Sequence, residues 1–285
     1  MKDFKTIVLS NQEISPGYFR MKILAPGYST LAQAGQFVML RVLDSLQPLL
    51  RRPFGIFRVG FMPADCDEMA PKEFIEIIYK VVGSGTEIMK NLHPGDPVEL
   101  LGPLGNGFDL GVLTEKKILV GGGIGLVPLY MLAEELVRES SVRLLMGGRS
   151  RDDIITVTEF ERLGVEVSVT TEDGSLGEEG LVTQVLERTL EKYPSATVYA
   201  CGPMPMIEAV EKICTERKVA LQVSLEALMA CGVGACLGCV VKGAAHSDEN
   251  PQYLCTCTQG PVFSAEKLDW SKNKVVSMGC GGGCQ

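Results

Sequence analysis

Along the first hundred residues, apolar positions recur at every second residue. In YFRMKIL, Phe19, Met21 and Ile23 alternate with Arg20 and Lys22, the period of a half-buried strand. QFVMLRV, EFIEIIYKVV and DPVELLG read as further strands, and the turn clusters SPG, APG and HPGD separate them. No amphipathic helix is predicted among them, so residues 1–110 are expected to form a small antiparallel β-barrel. The stretch from Phe61 to Lys72 interrupts the pattern and reads as an inserted loop.

From about Lys117 the rhythm changes. KILVGGG is a buried strand ending in glycines, and Leu129, Leu132, Ala133, Leu136 and Val137 follow at helical spacing, with Pro128 in the first turn. VRLLMGG, VEVSVTT and TVYACG are further strands. Helical segments lie around Val182, Val185, Leu186 and Thr189, and around Met206, Val210 and Ile213. This alternation predicts a parallel sheet covered by helices over residues 111–220. Residues 221–268, rich in cysteine and glycine, form a third small unit, and the tail 269–285, ending MGCGGGCQ, is expected to be disordered. The predicted fold class is therefore multidomain, β followed by α/β.

A chain of 285 residues suits two or three compact domains. Its net charge of -8 argues against nucleic acid or an anionic membrane as partner, since both select basic faces. No apolar run is long enough to span a bilayer, and MKDFKTIVLSNQEI lacks a signal-peptide core, so a cytoplasmic location is expected. In that reducing compartment the ten cysteines point to metal binding rather than to disulfides. Five of them fall between Cys231 and Cys257; Cys66, Cys201 and Cys214 are scattered, and Cys280 and Cys284 lie in the tail.

Cys231, Cys236 and Cys239 have the spacing C-x4-C-x2-C, which with one cysteine downstream is the ligand pattern of a plant-type [2Fe-2S] site. Gly232, Gly234 and Gly238 would let the loop wrap closely and turn its N–H groups inward, and Ala235 adds little bulk. A zinc site would more typically show two C-x2-C knuckles, and only one occurs here. Buried, unligated cysteines would not need these glycines, which otherwise cost roughly 0.5–1 kcal/mol each relative to alanine. Cys255 and Cys257 both offer a fourth thiolate. They are two residues apart, so in an extended strand both would face one way, and geometry leaves the choice open.

Other motifs are less specific. The run GGGIGLVPL, with Gly121, Gly122, Gly123 and Gly125, sits where a helix N-terminus holds a phosphate. Leu126 stands where a third fingerprint glycine would be, so tight strand–helix packing explains the run equally well. Arg149, Ser150 and Arg151 could contact a ribose or phosphate, or belong to a solvated loop. The arginines of RRPFGI could clamp a pyrophosphate or simply face solvent. Cys201 in CGPMPMI ends a predicted strand, at the edge where open parallel sheets bind ligands. The only histidines, His93 and His246, adjoin no nucleophile motif, which argues against a hydrolase triad.

Taken in order, RRPFGI, IYKVVGSGT, GPLGNGF, GGGIGLVPL, GGRSRDD, DGSLGEEGLVT, CGPMPMI, LEALMACGVGACLGC and CTQGPVF resemble the ferredoxin-NADP reductase superfamily. Within it they resemble the electron transfer subunits of class B dihydroorotate dehydrogenase. The resemblance runs from about residue 50 to 263. It implies an oxidoreductase subunit with an FAD-binding barrel, an NAD-binding α/β domain and a C-terminal [2Fe-2S] domain.

By motif match, FAD would meet Arg52, Pro53, Phe54, Gly55, Ile78, Tyr79, Lys80, Gly85 and Thr86. NAD would use Gly121, Gly122, Gly123 and Gly125 with Cys201, Gly202 and Pro203. Cys231, Cys236, Cys239 and Cys257 would hold the cluster; Cys257 is selected because the family's fourth ligand is followed by two residues and then GPVF. One departure stands out: the family has serine two residues after the proline of R-P, and here that residue is Gly55.

The resemblance further implies a partner subunit that carries FMN and oxidises dihydroorotate in pyrimidine biosynthesis. Electrons would pass through [2Fe-2S] and FAD to NAD+, in a heterotetramer with two copies of each chain, and no acid–base catalytic residue would be needed in this one. The rival reading shares the cofactors: the FAD/[2Fe-2S] subunit of a ferredoxin:NADP oxidoreductase or a sulfhydrogenase, with Arg149 and Arg151 keeping NADP open. A reading from another class is a zinc-stabilised binding module.

Overall fold

Alternation in the N-terminal part produces seven strands in a computed structural model that describes all residues except 43–48, 64–70, 112–113, 115, 248 and 271–285. They are β1 (Lys2–Ser15), β2 (Tyr18–Leu24), β3 (Phe37–Arg41), β4 (Arg52–Gly55), β5 (Arg58–Met62), β6 (Lys72–Lys80) and β7 (Pro97–Leu104). Their order is β4-β3-β7-β1-β2-β6-β5, with antiparallel neighbours throughout. Val8, Met21, Ile23, Val38, Leu40, Ile75 and Ile77 point to one side and form a common core, around which the sheet curls as a half-barrel. One element departs from expectation: a short helix, α1 (Ser84–Met89), stands between β6 and β7. Six residues starting in Ser-Gly are too few for helical periodicity to register, yet Met89 packs fully into the barrel core.

The second sheet holds β8 (Lys116–Gly122), β9 (Ser141–Gly148), β10 (Glu166–Thr171), β11 (Glu178–Glu179), β12 (Thr197–Cys201) and β13 (Ala220–Ser224). Its order is β11-β10-β9-β8-β12-β13-β16, parallel except for the last strand, β16 (Val262–Ser264), which pairs antiparallel with β13. The helices α2 (Val127–Leu136) and α3 (Val157–Arg162) bury Leu129, Leu132 and Phe160 on one face. The helices α4 (Val182–Lys192) and α5 (Met204–Arg217) bury Leu186, Leu190, Ile207 and Val210 on the other. Burial on both faces is why these strands read as continuous apolar runs.

Two boundaries behave differently. The expected one at 110/111 falls in the connection between β7 and β8. The one at 220/221 falls inside β13, whose Leu221 and Val223 are buried in the parallel sheet, so the small C-terminal unit begins after Ser224. That unit contains the hairpin β14 (Val240–Lys242) and β15 (Tyr253–Cys255), and β16 returns from it to the second sheet. Most of the predicted insertion at 61–72, and the tail from 271, lie outside the described residues. Among the described residues no helix is long and apolar enough to cross a membrane.

Candidate cofactor sites

The C-terminal unit is organised around sulfur. Cys231 and Cys236 place their Sγ atoms 3.4 Å apart, and Cys239 lies within hydrogen-bonding reach of Cys257. Backbone N–H groups are turned towards these sulfurs: Val233 donates to Cys231 (3.5 Å), Gly234 to Cys257 (3.2 Å) and Gly238 to Cys236 (3.4 Å). Gly232 and Gly234 adopt φ of +73° and +80°, conformations open to glycine at little cost. Gly238 does not; the third left-handed residue is Leu237 at φ +54°, which nothing in the sequence signals.

The electrostatics differ between the two pairs of thiols. The Val233 N–H above all, with those of Cys236 and Ala235, draws Cys231 down to about 6. Burial, and then the neighbouring Cys239 thiol, pushes Cys257 up to about 12. Two buried thiolates side by side require a positive centre between them. The donor set, four thiols in two pairs ringed by N–H groups, thus fits a two-iron cluster. Cys255 lies at the edge of the same cluster: it ends β15 opposite Val240, and its carbonyl accepts the N–H groups of Thr258 and Gln259. The chain turns after Cys255, so Cys255 and Cys257 do not share an extended strand; Cys257 is the one paired with Cys239 and within electrostatic range of Cys231.

The flavin segments converge at one end of the half-barrel. Arg52, Pro53, Phe54 and Gly55 form the edge strand β4, all half-buried. The Arg52 guanidinium lies across Gly85 at the start of α1, where any side chain would displace it. Thr86 Oγ1 accepts the N–H groups of Val82 (3.0 Å) and Gly83 (3.2 Å), fixing the turn. An arginine over a side-chain-free turn is a cradle that fits a pyrophosphate. Tyr79 is buried in the barrel core with its hydroxyl bonded to Asn11 (3.0 Å), while Ile78, on the opposite face of β6, is buried against the α/β domain. Gly55 lies 3.4 Å, measured from a built Cβ, from Val127 of α2.

The nucleotide segments adjoin each other. A Cβ at Gly122 would come within 2.7 Å of Met206 Sδ and one at Gly125 within 2.7 Å of Gly202, while Gly121 is closed by Leu126. Packing thus accounts for three glycines of the run, and Gly123, at φ +52°, is the one on the open rim with Gly202 and Pro203. The Cys201 side chain is buried, and burial followed by the Glu226 charge holds its thiol far above its ordinary range. It serves as packing beneath the rim rather than as a contact on it.

A polar network missed at the level of sequence joins the two larger domains. The Asp153 carboxylate accepts hydrogen bonds from Tyr18 (2.6 Å), Lys80 (2.9 Å) and Arg149 (2.8 Å). Burial alone would raise this carboxyl; the three donors outweigh it and hold it far below the carboxylate range. Phe57 stacks on Tyr130, with ring centroids 4.3 Å apart, in the core cluster that also holds Tyr18. The only hint was the position of Asp153 in GGRSRDD.

A half-barrel with a cradle for a pyrophosphate, an adjoining parallel α/β domain and an appended four-thiol loop define a ferredoxin-reductase-like flavoprotein fold with an iron–sulfur domain. Residues 119–212 match the oxidoreductase NAD-binding domain, and residues 226–269 match the iron–sulfur cluster binding domain of dihydroorotate dehydrogenase B. The chain is 37% identical to the dihydroorotate dehydrogenase B (NAD(+)) electron transfer subunit of Desulforamulus reducens, over 94% of this chain and 99% of that one. It is 38% identical to the corresponding subunit of Caldanaerobacter subterraneus subsp. tengcongensis, over 93% and 97%. The chain therefore belongs to the family of dihydroorotate dehydrogenase B electron transfer subunits. A solved structure of NADH-dependent reduced ferredoxin-NADP oxidoreductase superposes with a TM-score of 0.75 at 27% identity, covering 93% of this chain and 90% of that one.

Proposed function

We propose that this chain delivers electrons to NAD+ on behalf of a catalytic dihydroorotate dehydrogenase subunit, from which it receives them one at a time. The observation that carries this reading is the four-thiol loop, in a unit that matches the family's iron–sulfur domain and packs directly against the flavin-type half-barrel. When bound, the three groups supply the redox conversion: nicotinamide takes a hydride, a cluster takes single electrons, and a flavin handles both.

The chain's own residues bind and orient. Cys231, Cys236, Cys239 and Cys257 would hold the iron, with the N–H groups of Val233, Gly234 and Gly238 sharing the sulfur charge. Arg52 and the turn at Gly85 and Thr86 would hold the FAD pyrophosphate, with Pro53, Phe54, Gly55 and the backbone of Ile78, Tyr79 and Lys80 along the flavin. The rim at Gly123, Gly202 and Pro203 would seat the nicotinamide nucleotide. Leu228, Val233 and Leu237 are exposed around the cysteine loop, a suitable apolar face for the FMN-bearing partner, two copies of each chain completing the assembly.

The superposition on an NADH-dependent ferredoxin-NADP oxidoreductase favours a second reading, in which a different electron donor docks at the same loop. Co-purification with the dihydroorotate dehydrogenase catalytic subunit, followed by dihydroorotate-dependent reduction of NAD+ and NADP+, separates them. Activity with NAD+ is expected. A complex that holds FAD and iron but shows no dihydroorotate activity refutes the first reading and leaves the second.

A further inference from the structure

The cysteine loop rests on a particular surface, the outer face of the half-barrel. Phe37, Met39, Leu101 and Leu104 turn away from the barrel interior and form one apolar cluster with Cys239 and Cys257. Their neighbours Val38 and Leu40 point inward, as strand alternation requires. Contact with the loop is close: a Cβ on Gly232 would lie 2.6 Å from Met39 Cγ and 3.3 Å from Leu104 Cδ1. Met39 is fully buried although it belongs to neither large core.

The same strand carries the flavin segment on its other side. In the β3–β4 register, Met39 is opposite Pro53 and Phe37 is opposite Gly55, so these four positions share one face. Adjacent strands lie about 4.8 Å apart. A single row of side chains therefore separates the strand expected to line the flavin from the thiols expected to hold iron.

The rim of this wall is locked from the half-barrel as well. Asn106 donates its backbone N–H to Gly260 O (2.6 Å) and its Nδ2 to Gln259 O (3.0 Å) and Thr258 O (3.2 Å), clamping the turn that follows Cys257. Gln36 Nε2 holds Gly105 O at 2.8 Å behind it.

We infer that Met39, with Leu104 beside it, is a positioning residue that sets the gap between flavin and cluster. The inference rests on the cofactor reading above. With both cofactors bound, each passage across the gap would oxidise one by one electron and reduce the other by one, and two passages would match the two electrons of a hydride. Met39 reacts with neither cofactor; it keeps the cysteine loop seated against β3.

The test uses the full chain co-purified with its catalytic partner. The native complex, Met39→Ala and Met39→Leu are compared by flavin and iron content, by amide hydrogen exchange over residues 231–239, and by stopped-flow reduction of the cluster with NADH. Met39→Ala is expected to keep both cofactors, to exchange the loop amides faster, and to slow cluster reduction by about tenfold, because a misplacement of about 1 Å can cost up to a hundredfold. Met39→Leu conserves volume and is expected to restore both readouts. If Met39→Ala sheds its iron, Leu104→Ala thins the same wall from the next strand and replaces it. Native exchange with a native reduction rate overturns the inference, as does faster exchange with an unchanged rate. Loss of iron from both alanine variants also overturns it, since the wall would then retain the cluster rather than space it. A native complex lacking FAD or iron defeats the cofactor reading itself, which separates that failure from this one.

Discussion

Replacing Asp153 by asparagine removes one charge from the network that ties the half-barrel to the nucleotide domain while keeping its shape. The carboxylate is almost buried, 9% exposed, and accepts from Tyr18 at 2.6 Å, Lys80 at 2.9 Å and Arg149 at 2.8 and 3.2 Å. Hydrogen bonds to a charged group contribute about 1.5–3 kcal/mol each. Lys80 and Arg149 are 30% and 72% exposed, so water screens both and compensates much of their loss. The net cost is therefore set near the value of one such bond, about 2–3 kcal/mol. For a domain of this size that lowers Tm by about 4–10 °C.

The sign of the pH dependence follows from the depressed folded-state carboxyl. Its stabilisation is complete above the unfolded value of about 3.9 and fades as pH falls below that, so the gap between native chain and variant should narrow under acid. Differential scanning calorimetry of the cofactor-loaded chain at neutral pH and on acidification measures both effects. Tyr18→Phe alone should cost about 1 kcal/mol, and less than that when Asp153→Asn is already present, because the two share a bond. An Asp153→Asn chain melting within about 1 °C of native would refute the argument.

Three further outcomes are expected. Cys255→Ser should retain its iron while Cys257→Ser loses it, measured as iron per chain and visible absorbance, because Cys257 is the thiol that pairs with Cys239 and accepts the Gly234 N–H. Gly85→Ala should displace the Arg52 guanidinium and weaken FAD retention through gel filtration by about tenfold, the loss of roughly one charged hydrogen bond, with little change in secondary structure. Gly55→Ser should be tolerated within about 0.5 kcal/mol and keep FAD, since the nearest atom, Val127 Cγ1, lies 3.4 Å from the new Cβ; a chain that unfolds or loses its flavin would contradict this.

Much of the site was legible in the order of residues. Cys231, Cys236 and Cys239 lie within nine residues, so local spacing alone imposes their convergence. Cys257 lies in a different segment, and nothing local distinguishes it from Cys255; the motif resemblance selected it, and the turn after β15 brings it to Cys239. Gly125 reads like a phosphate-loop glycine, yet packing against Gly202 explains it, because the partner arrives about eighty residues later.

The periods of two and of 3.6 residues by themselves determined four of the half-barrel strands and the α/β alternation, and the cysteine spacing determined the loop, because each is a local relation along the chain. Tertiary structure alone decided that β13 joins the nucleotide sheet and that Asp153 bridges two domains. It also decided that Met39 faces the cysteines rather than the barrel core. Those choices depend on which surfaces meet after the chain has closed on itself, and contacts between residues far apart in sequence leave no periodic trace in it.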